Sequence, residues 1–307
     1  MKQIKLGSSN LTVPNVIIGC MRLGGLQTED LNHFIHTALE NGMNYFDHAD
    51  IYGGGGCEEH FGAALRGDTS IKREDLILQS KCGIVPGKYY DSSKEYLLNA
   101  VDGILQRLQT DYLDVLLIHR PDALTEPEEV AAAFDELEHS GKVRYFGVSN
   151  HNPMQIELLK RYVHQPLLIN QLQFSIAVSN MAASGMEVNM DTPGAADRDG
   201  YVLNYSRLND MTIQTWSPFQ MPNWGGTFLG SDHYPELNQE LDRLAAQYGV
   251  GSTAIAAAWV LRHPAKMQLI AGTAKESRLI EIAQASDICL TREEWYRLYL
   301  AAGHPLP

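Results

Sequence analysis

An aspartate, a tyrosine, a lysine and a histidine stand at the ends of three successive apolar runs: Asp47 and Tyr52 in NYFDHADIY, Lys81 in LILQSKC and His119 in DVLLIHR. An acid, a phenol, an amine and an imidazole can together deliver a proton to a carbonyl oxygen. A free phenol ionises near pH ~10, too high to exchange protons readily at neutrality. A neighbouring ammonium favours phenolate, and lowering the pKa by about two units requires only about 2.7 kcal/mol. In this scheme Asp47 holds the Lys81 ammonium, and His119 donates a hydrogen bond to the same substrate oxygen. Read alone, Asp47 and Lys81 favour a structural ion pair, since each charge at the end of an apolar strand needs the other.

Such a set must be held by a frame, and the alternation of patterns describes one. Eight strand-like runs occur: 16–22, 44–50, 76–82, 114–120, 143–150, 168–175, 212–219 and 268–274. Near-continuous apolar runs suit strands buried on both faces. Between them lie segments of helical period. TEDLNHFIHTALENG carries Leu31, Phe34, Ile35, Ala38 and Leu39 on one face, with Thr28 as N-cap and Gly42 as stop. SSKEYLLNAVDGILQRL starts at Ser92 or Ser93, and EPEEVAAAFDELEHSG has Pro127 in its first turn and Gly141 at its end.

Eight strand–helix units close most naturally into a (β/α)8 TIM barrel, one domain over 1–307. A doubly wound open sheet competes, but no G-x-G-x-x-G follows the first strand. The opening IKLGSSNLTVP reads as a hairpin around Gly7 to Asn10 that closes the barrel floor. Residues 176–200 form a long polar insertion, read as a lid or a subunit contact. The seventh unit is enlarged by a loop over 220–234 and two helices, and an extra helix ends the chain.

Composition narrows the class. The 307 residues are 44% hydrophobic and 20% charged, with 26 Gly and 13 Pro spread along the chain, as in an ordinary globular protein. The formal net charge of −13 argues against a nucleic-acid partner. Cys20, Cys57, Cys82 and Cys289 are far apart, so neither a disulfide framework nor a zinc ribbon is indicated. Three of them read as packed thiols, with Cys57 as the exposed one. No signal peptide and no membrane-length apolar run is seen, so a cytoplasmic location and no membrane partner are expected. The oligomeric state is not written in the pattern.

With the elements in order, the chain resembles an aldo-keto reductase over nearly its whole length. The resemblance is carried by FDHADIYG (46–53), QSKCG (79–83), LLIHRPD (116–122), GKVRYFGVSN (141–150), NQLQFS (170–175), WSPF (216–219) and IAGTAKESR (270–278). Each motif alone is a weak signal; seven in order at the strand ends of an eightfold pattern are a strong one. The resemblance implies Asp47, Tyr52, Lys81 and His119 as the catalytic four, with Tyr52 the general acid in reduction of an aldehyde or ketone. It implies Ser149, Asn150 and Gln171 on a nicotinamide carboxamide and Trp216 against the nicotinamide ring, with Ser217, Pro218 and Phe219 beside it.

Gly272 and Thr273 read as opening a helix whose free amides form an anion site, with Lys275 and Arg278 in its first turns. By resemblance Arg278 grips an adenosine 2′-phosphate, making NADP(H) the expected cofactor. Gly272 stands where many members carry lysine, Ile282 where many carry asparagine and His48 where Thr or Ser is frequent. The first two replacements remove contacts, so the expected preference over NAD(H) is weaker than in strongly selective relatives. Strand alternation turns His48 away from the site.

Two other functions compete. A metal-dependent barrel hydrolase would use His48, Asp50, His119 and His151, but the pattern shows H-A-D where two histidines are needed. A non-catalytic NADP-binding or sensor protein is the other, since fold does not dictate function. For the substrate, Tyr89, Tyr90, Met221, Trp224 and Phe228 are the expected apolar walls.

Overall fold

Strands buried on both faces and joined by helices have one arrangement that leaves no open edge: a sheet closed on itself inside a ring of helices. The computed structural model, which describes residues 1–306, has this form. An antiparallel hairpin of β1 (Gln3–Lys5) and β2 (Thr12–Pro14) comes first. Barrel strands follow as β3 (Val16–Gly19), β4 (Tyr45–Asp47) and β5 (Ile77–Cys82). A small outlying hairpin, β6 (Ile84–Val85) with β7 (Tyr89–Tyr90), interrupts them. The ring is completed by β8 (Leu113–Ile118), β9 (Val143–Ser149), β10 (Leu167–Gln173), β11 (Thr212–Trp216) and β12 (Gln268–Ala271). Ile270 pairs with Ile17 and Ala271 with Ile18, so β12 closes on β3 and the open-sheet alternative is excluded.

The helices are α1 (Thr28–Glu40), α2 (Gly56–Gly67), α3 (Lys94–Leu108), α4 (Pro127–His139) and α5 (Pro153–Lys160). After them come α6 (Asn180–Met186), α7 (Val202–Leu208), α8 (Pro235–Tyr248), α9 (Ser252–Leu261), α10 (Glu276–Gln284) and α11 (Arg292–Ala301). Ser93 caps α3 by accepting the Tyr96 N–H, and Pro127 is the first residue of α4. Thr28 is already helical; Gln27 holds the cap position of α1 without a side-chain bond.

The hairpin does close the floor. Leu6 and Val13 are fully buried among Ile17, Tyr45, Val115 and Ile169 inside the ring, and the Gly7 N–H donates to Thr212 Oγ1 at 2.7 Å. A Cβ on Gly7 would stand 2.6 Å from the Leu168 carbonyl, and its φ of +53° already suits only glycine comfortably. Chain thus passes too close to the barrel base there for any larger residue.

Three expectations are corrected. Several strands stop sooner than their apolar patterns: β3 at Gly19 and β11 at Trp216, because the chain turns out of the sheet to form the barrel mouth, with Ser217 at φ +51°. Cys57, in the first turn of α2, is buried against the turn at Gly24, and Cys289 is the exposed thiol. The 176–200 insertion is not structureless: it holds α6, buries Ile176, Ala177 and Met181 in the outer core, and none of its residues lines the cleft described next, which tells against the lid of the two readings.

Candidate active site

Side chains alternate along each strand, so one residue in two points into the barrel. Inward positions pass from an apolar floor to a polar middle to the mouth. Gln79 and Lys81 follow one another inward on β5, and Gln214 and Trp216 on β11. The alternation places Asp47 on the inner face of β4 and sends His48 outward onto Phe61 of α2, ring centroids 4.6 Å apart. The His48 ring is fully buried and finds no hydrogen-bond partner among the described residues, and burial followed by the Lys81 charge pulls its pKa down to about 3. A neutral packing residue stands there, turned away from the site as strand alternation predicts.

Lys81 is the centre of the arrangement. Its Nζ, fully buried, donates to Asp47 Oδ1 at 2.7 Å and to the His48 carbonyl at 2.6 Å, and lies 3.3 Å from Tyr52 Oη. Burial opposes the ammonium, but the Asp47 carboxylate and the Tyr52 oxygen outweigh it and hold the lysine above its ordinary value. Tyr52 behaves otherwise than expected. Burial pushes the phenol above its ordinary value, and Lys81, though it pulls the other way, does not overcome it. The ammonium therefore offsets desolvation rather than producing an unusually acidic phenol.

His119 stands edge-on to Tyr52, ring centroids 6.2 Å apart. Burial first, then Lys81 and Arg120, pull it down to about 3, so it is a neutral imidazole at physiological pH. Its buried Nδ1 has no partner among the described residues.

Beneath the mouth, three glutamines that were not among the expected site residues, Gln79, Gln214 and Gln268, join Gln171 in one group. Gln79, Gln171, Gln214 and Gln268 come from four strands and are all buried inside the ring. Gln268 Nε2 donates to the Pro14 carbonyl at 2.7 Å, and Gln268 Oε1 accepts from Gln214 at 3.0 Å. Gln214 Oε1 accepts from Gln79 at 2.9 Å and Gln171 at 3.0 Å, and both of these also donate to Asp47 Oδ1. A carbonyl at one end and a carboxylate at the other accept only, so the two ends independently require the same orientation of the amides. Asp47 thus receives three donors, and Gln171 is anchored through its nitrogen. A glutamine at an inward position of an otherwise apolar strand was the visible clue.

Above this lies a cleft of about 390 Å³. It brings together Asp47, Tyr52, His119, Ser149, Asn150, Gln171, Trp216, Ser217, Pro218, Phe219, Gly272, Thr273 and Arg278, thirteen of the fifteen expected site residues. Lys81 sits beneath it and touches it through Tyr52. Lys275 is left outside: it is the exposed N-cap of α10, which starts later than the sequence suggests, while Arg278 remains in the first turn. Asn150, at φ +59°, accepts from Trp216 Nε1 at 3.0 Å and donates to Ser149 Oγ at 2.8 Å, tying the ends of β9 and β11 together. The expected substrate walls are mostly elsewhere. Trp224 lines the cleft and stacks on Trp216 at 5.6 Å, but Phe228 is fully buried in the outer core, Tyr89 and Tyr90 are exposed on the outlying hairpin, and Met221 packs beneath the loop. Met21, Leu229 and Thr227 complete the wall.

Just outside the mouth, burial and then Glu58 push the Asp50 carboxyl up to about 7. A raised acid stabilises the fold fully below its unfolded pKa near ~4, and that contribution is lost as pH rises through about 7. Asp50→Asn is therefore expected to raise unfolding stability by about 1–3 kcal/mol at pH 8.5 and to change little at pH 4.5. Urea titrations at the two pH values check both the sign and the window.

An eight-stranded parallel barrel with a buried ion pair and a phenol at its mouth defines a (β/α)8 enzyme-type site; comparison with known proteins gives the family. Residues 15–299 match the model of the aldo/keto reductase family, and the chain belongs to that family of oxidoreductases. It is 34% identical to the oxidoreductase YcsN of Bacillus subtilis, covering the whole of both chains. It is 32% identical to a 6-dehydroglucose reductase of Agrobacterium fabrum over 98% of each. Among solved structures it resembles a thermostable aldo-keto reductase in complex with the inhibitor epalrestat, with a TM-score of 0.76, 27% identity, and 98% and 100% of the two chains covered. No group of three or more His, Cys, Asp or Glu side chains among the described residues is disposed to hold a metal, and no single helix there is long and apolar enough to cross a membrane.

Proposed function

We propose that the protein is an NADP(H)-dependent carbonyl reductase in which Tyr52 protonates the oxygen of an aldehyde or ketone. The observation that carries this reading is the contact of one buried ammonium with both Asp47 and Tyr52, whose ring opens onto the cleft. When bound, the nicotinamide cofactor supplies the hydride to the carbonyl carbon. Everything else falls to this chain's residues.

The residues present fit such a cofactor. The Nε2 atom of Gln171 is anchored on Asp47 and Gln214, which leaves its Oε1 to accept from a carboxamide. Trp216 is held by Asn150 in a fixed plane, and Gly272 is open where a Cβ would otherwise stand, so a pyrophosphate could approach the backbone. Arg278, in the first turn of α10 and without an ion pair among the described residues, suits a phosphate.

As charge develops on the carbonyl oxygen, Tyr52 gives up its proton and Lys81 stabilises the phenolate left behind. Because an alkoxide is a stronger base than a phenolate, a phenol raised by burial still protonates it. His119, neutral, is a donor and not an acid. Its Nδ1 lies buried and unpartnered, so the proton is better placed on Nε2 as a hydrogen bond to the same oxygen.

The family relatives act on small molecules, and the 6-dehydroglucose reductase bears a name that fits carbonyl reduction. A panel of aldehydes, ketones and quinones, followed at the nicotinamide absorbance with NADPH and with NADH, tests the reading. Turnover of at least one carbonyl class with NADPH is expected. A protein that binds NADPH and reduces nothing in the panel is a binding protein instead.

A further inference from the structure

Charge in the cleft is opposite to charge on the molecule. The protein carries a formal −13, yet the cleft is lined by Arg22, Arg120 and Arg278 and by a single acid, Asp47, which is already paired with Lys81. Arg278 stands with Gly272 and Thr273, at the end of the cleft suited to a phosphate of the cofactor. Arg22 is exposed on the turn that follows β3. Arg120 is different from both. It directly follows His119, is half-buried, and has neither an ion pair nor a side-chain hydrogen bond to protein among the described residues.

Its guanidinium lies 6.0 Å from the Trp216 ring centroid, which places it on the same sector of the mouth as His119 and Tyr52. Five N–H donors in a rigid fork, left without a protein acceptor beside a ring held by Asn150, form one half of a bidentate anion contact. The cation also acts against its neighbour, since Arg120 is among the groups that hold His119 neutral. An anion placed on Arg120 would meet a guanidinium already partly desolvated, where such pairing is stronger than at an open surface.

We infer that Arg120 selects the substrate: the carbonyl compounds this enzyme reduces best carry a carboxylate or phosphate that docks on Arg120 while the carbonyl oxygen lies between Tyr52 and His119. This rests on the carbonyl-reductase reading above and deepens it.

Paired substrates of equal carbon number test it. Succinic semialdehyde against butyraldehyde examines carboxylate, and glyceraldehyde 3-phosphate against glyceraldehyde examines phosphate. The parent is expected to favour the charged member of at least one pair by tenfold or more in kcat/KM, and the pair that shows it identifies the anion. In Arg120→Leu that ratio should fall to near one, chiefly through KM, while Arg120→Lys keeps part of it. NADPH affinity, measured by fluorescence, should be the same in all three. An unchanged ratio in Arg120→Leu, or a loss of NADPH affinity that accounts for the change, overturns the inference.

A binding measurement separates it from the reading beneath it. Butyrate and butyl phosphate are titrated calorimetrically into the NADP⁺-loaded protein, with butanol as the uncharged control. Anion binding that weakens tenfold in Arg120→Leu supports the anion site even if no carbonyl is reduced, in which case the reductase reading alone falls. Reduction of neutral carbonyls with no anion preference and no anion binding sinks the inference and leaves the reductase standing.

Discussion

Tyr52→Phe should bind NADPH as the parent does and reduce its best carbonyl substrate about 10²- to 10⁴-fold more slowly, the range a positioned acid contributes. The ring remains, so its packing over Lys81, whose Nζ lies 5.0 Å from the ring centroid, is kept. One hydrogen bond of 3.3 Å is lost, and with it no more than about 1 kcal/mol of stability. Stopped-flow single turnovers with NADPH bound distinguish the chemical step from product release. Full turnover in the variant would remove Tyr52 from its role and leave His119 as the donor to examine. The parent's pH profile carries a second mark of the same residue. Because burial raises the phenol, the acid form should persist beyond neutrality, and the alkaline fall in the reduction rate should lie above the ordinary phenol value of ~10.

That direction for Tyr52 is where the sequence was least informative. Asp47, Lys81 and His119 were legible because a charge or an imidazole at the end of a buried strand is conspicuous, and the period of two tells which side it faces. How deeply each is buried depends on what closes over it from elsewhere in the chain. Lys81 lies deeper than a strand-end position suggests, and Tyr52 with it, so desolvation of the phenol wins over the neighbouring charge. The eightfold alternation was legible for a related reason: β5 and β8 are buried at every position, as strands covered by helices on both faces must be, and eight such strand–helix units suffice to close a ring. Strand ends were less so, because Ser217 and Asn150 turn into the left-handed region to shape the mouth, and nothing in their local pattern announces it.

The walls of the cleft show the same limit. Phe228 and Leu229 are neighbours of similar character, yet the first is in the outer core and the second faces the cleft. Only the fold of the 220–234 loop separates them. The glutamines are a clearer case. Gln79, Gln171, Gln214 and Gln268 are each visible as a polar residue in an apolar strand, but their partners lie on other strands, 135 positions away for Gln79 and Gln214 and 254 for Gln268 and Pro14. A network assembled from four strands has no local signature.

The second large effect separates the structural reading of the Asp47–Lys81 pair from the chemical one. Lys81→Met leaves Asp47 with the amide donors of Gln79 and Gln171 but without a countercharge, in a site where both partners are almost completely inaccessible. Removing one member of a buried pair costs about 3–5 kcal/mol, so the single variant should be both inactive and much less stable. Its inactivity alone therefore proves nothing about catalysis. Adding Asp47→Asn removes the stranded charge while keeping an oxygen for the two glutamines, and thermal and urea unfolding should return to within about 1–2 kcal/mol of the parent. If Lys81 serves the phenol, activity should stay 10²-fold or more below the parent in the refolded double variant, since nothing charged then remains beside Tyr52. If activity recovers along with stability, the pair is a structural bridge, and the lysine takes no part in moving the proton.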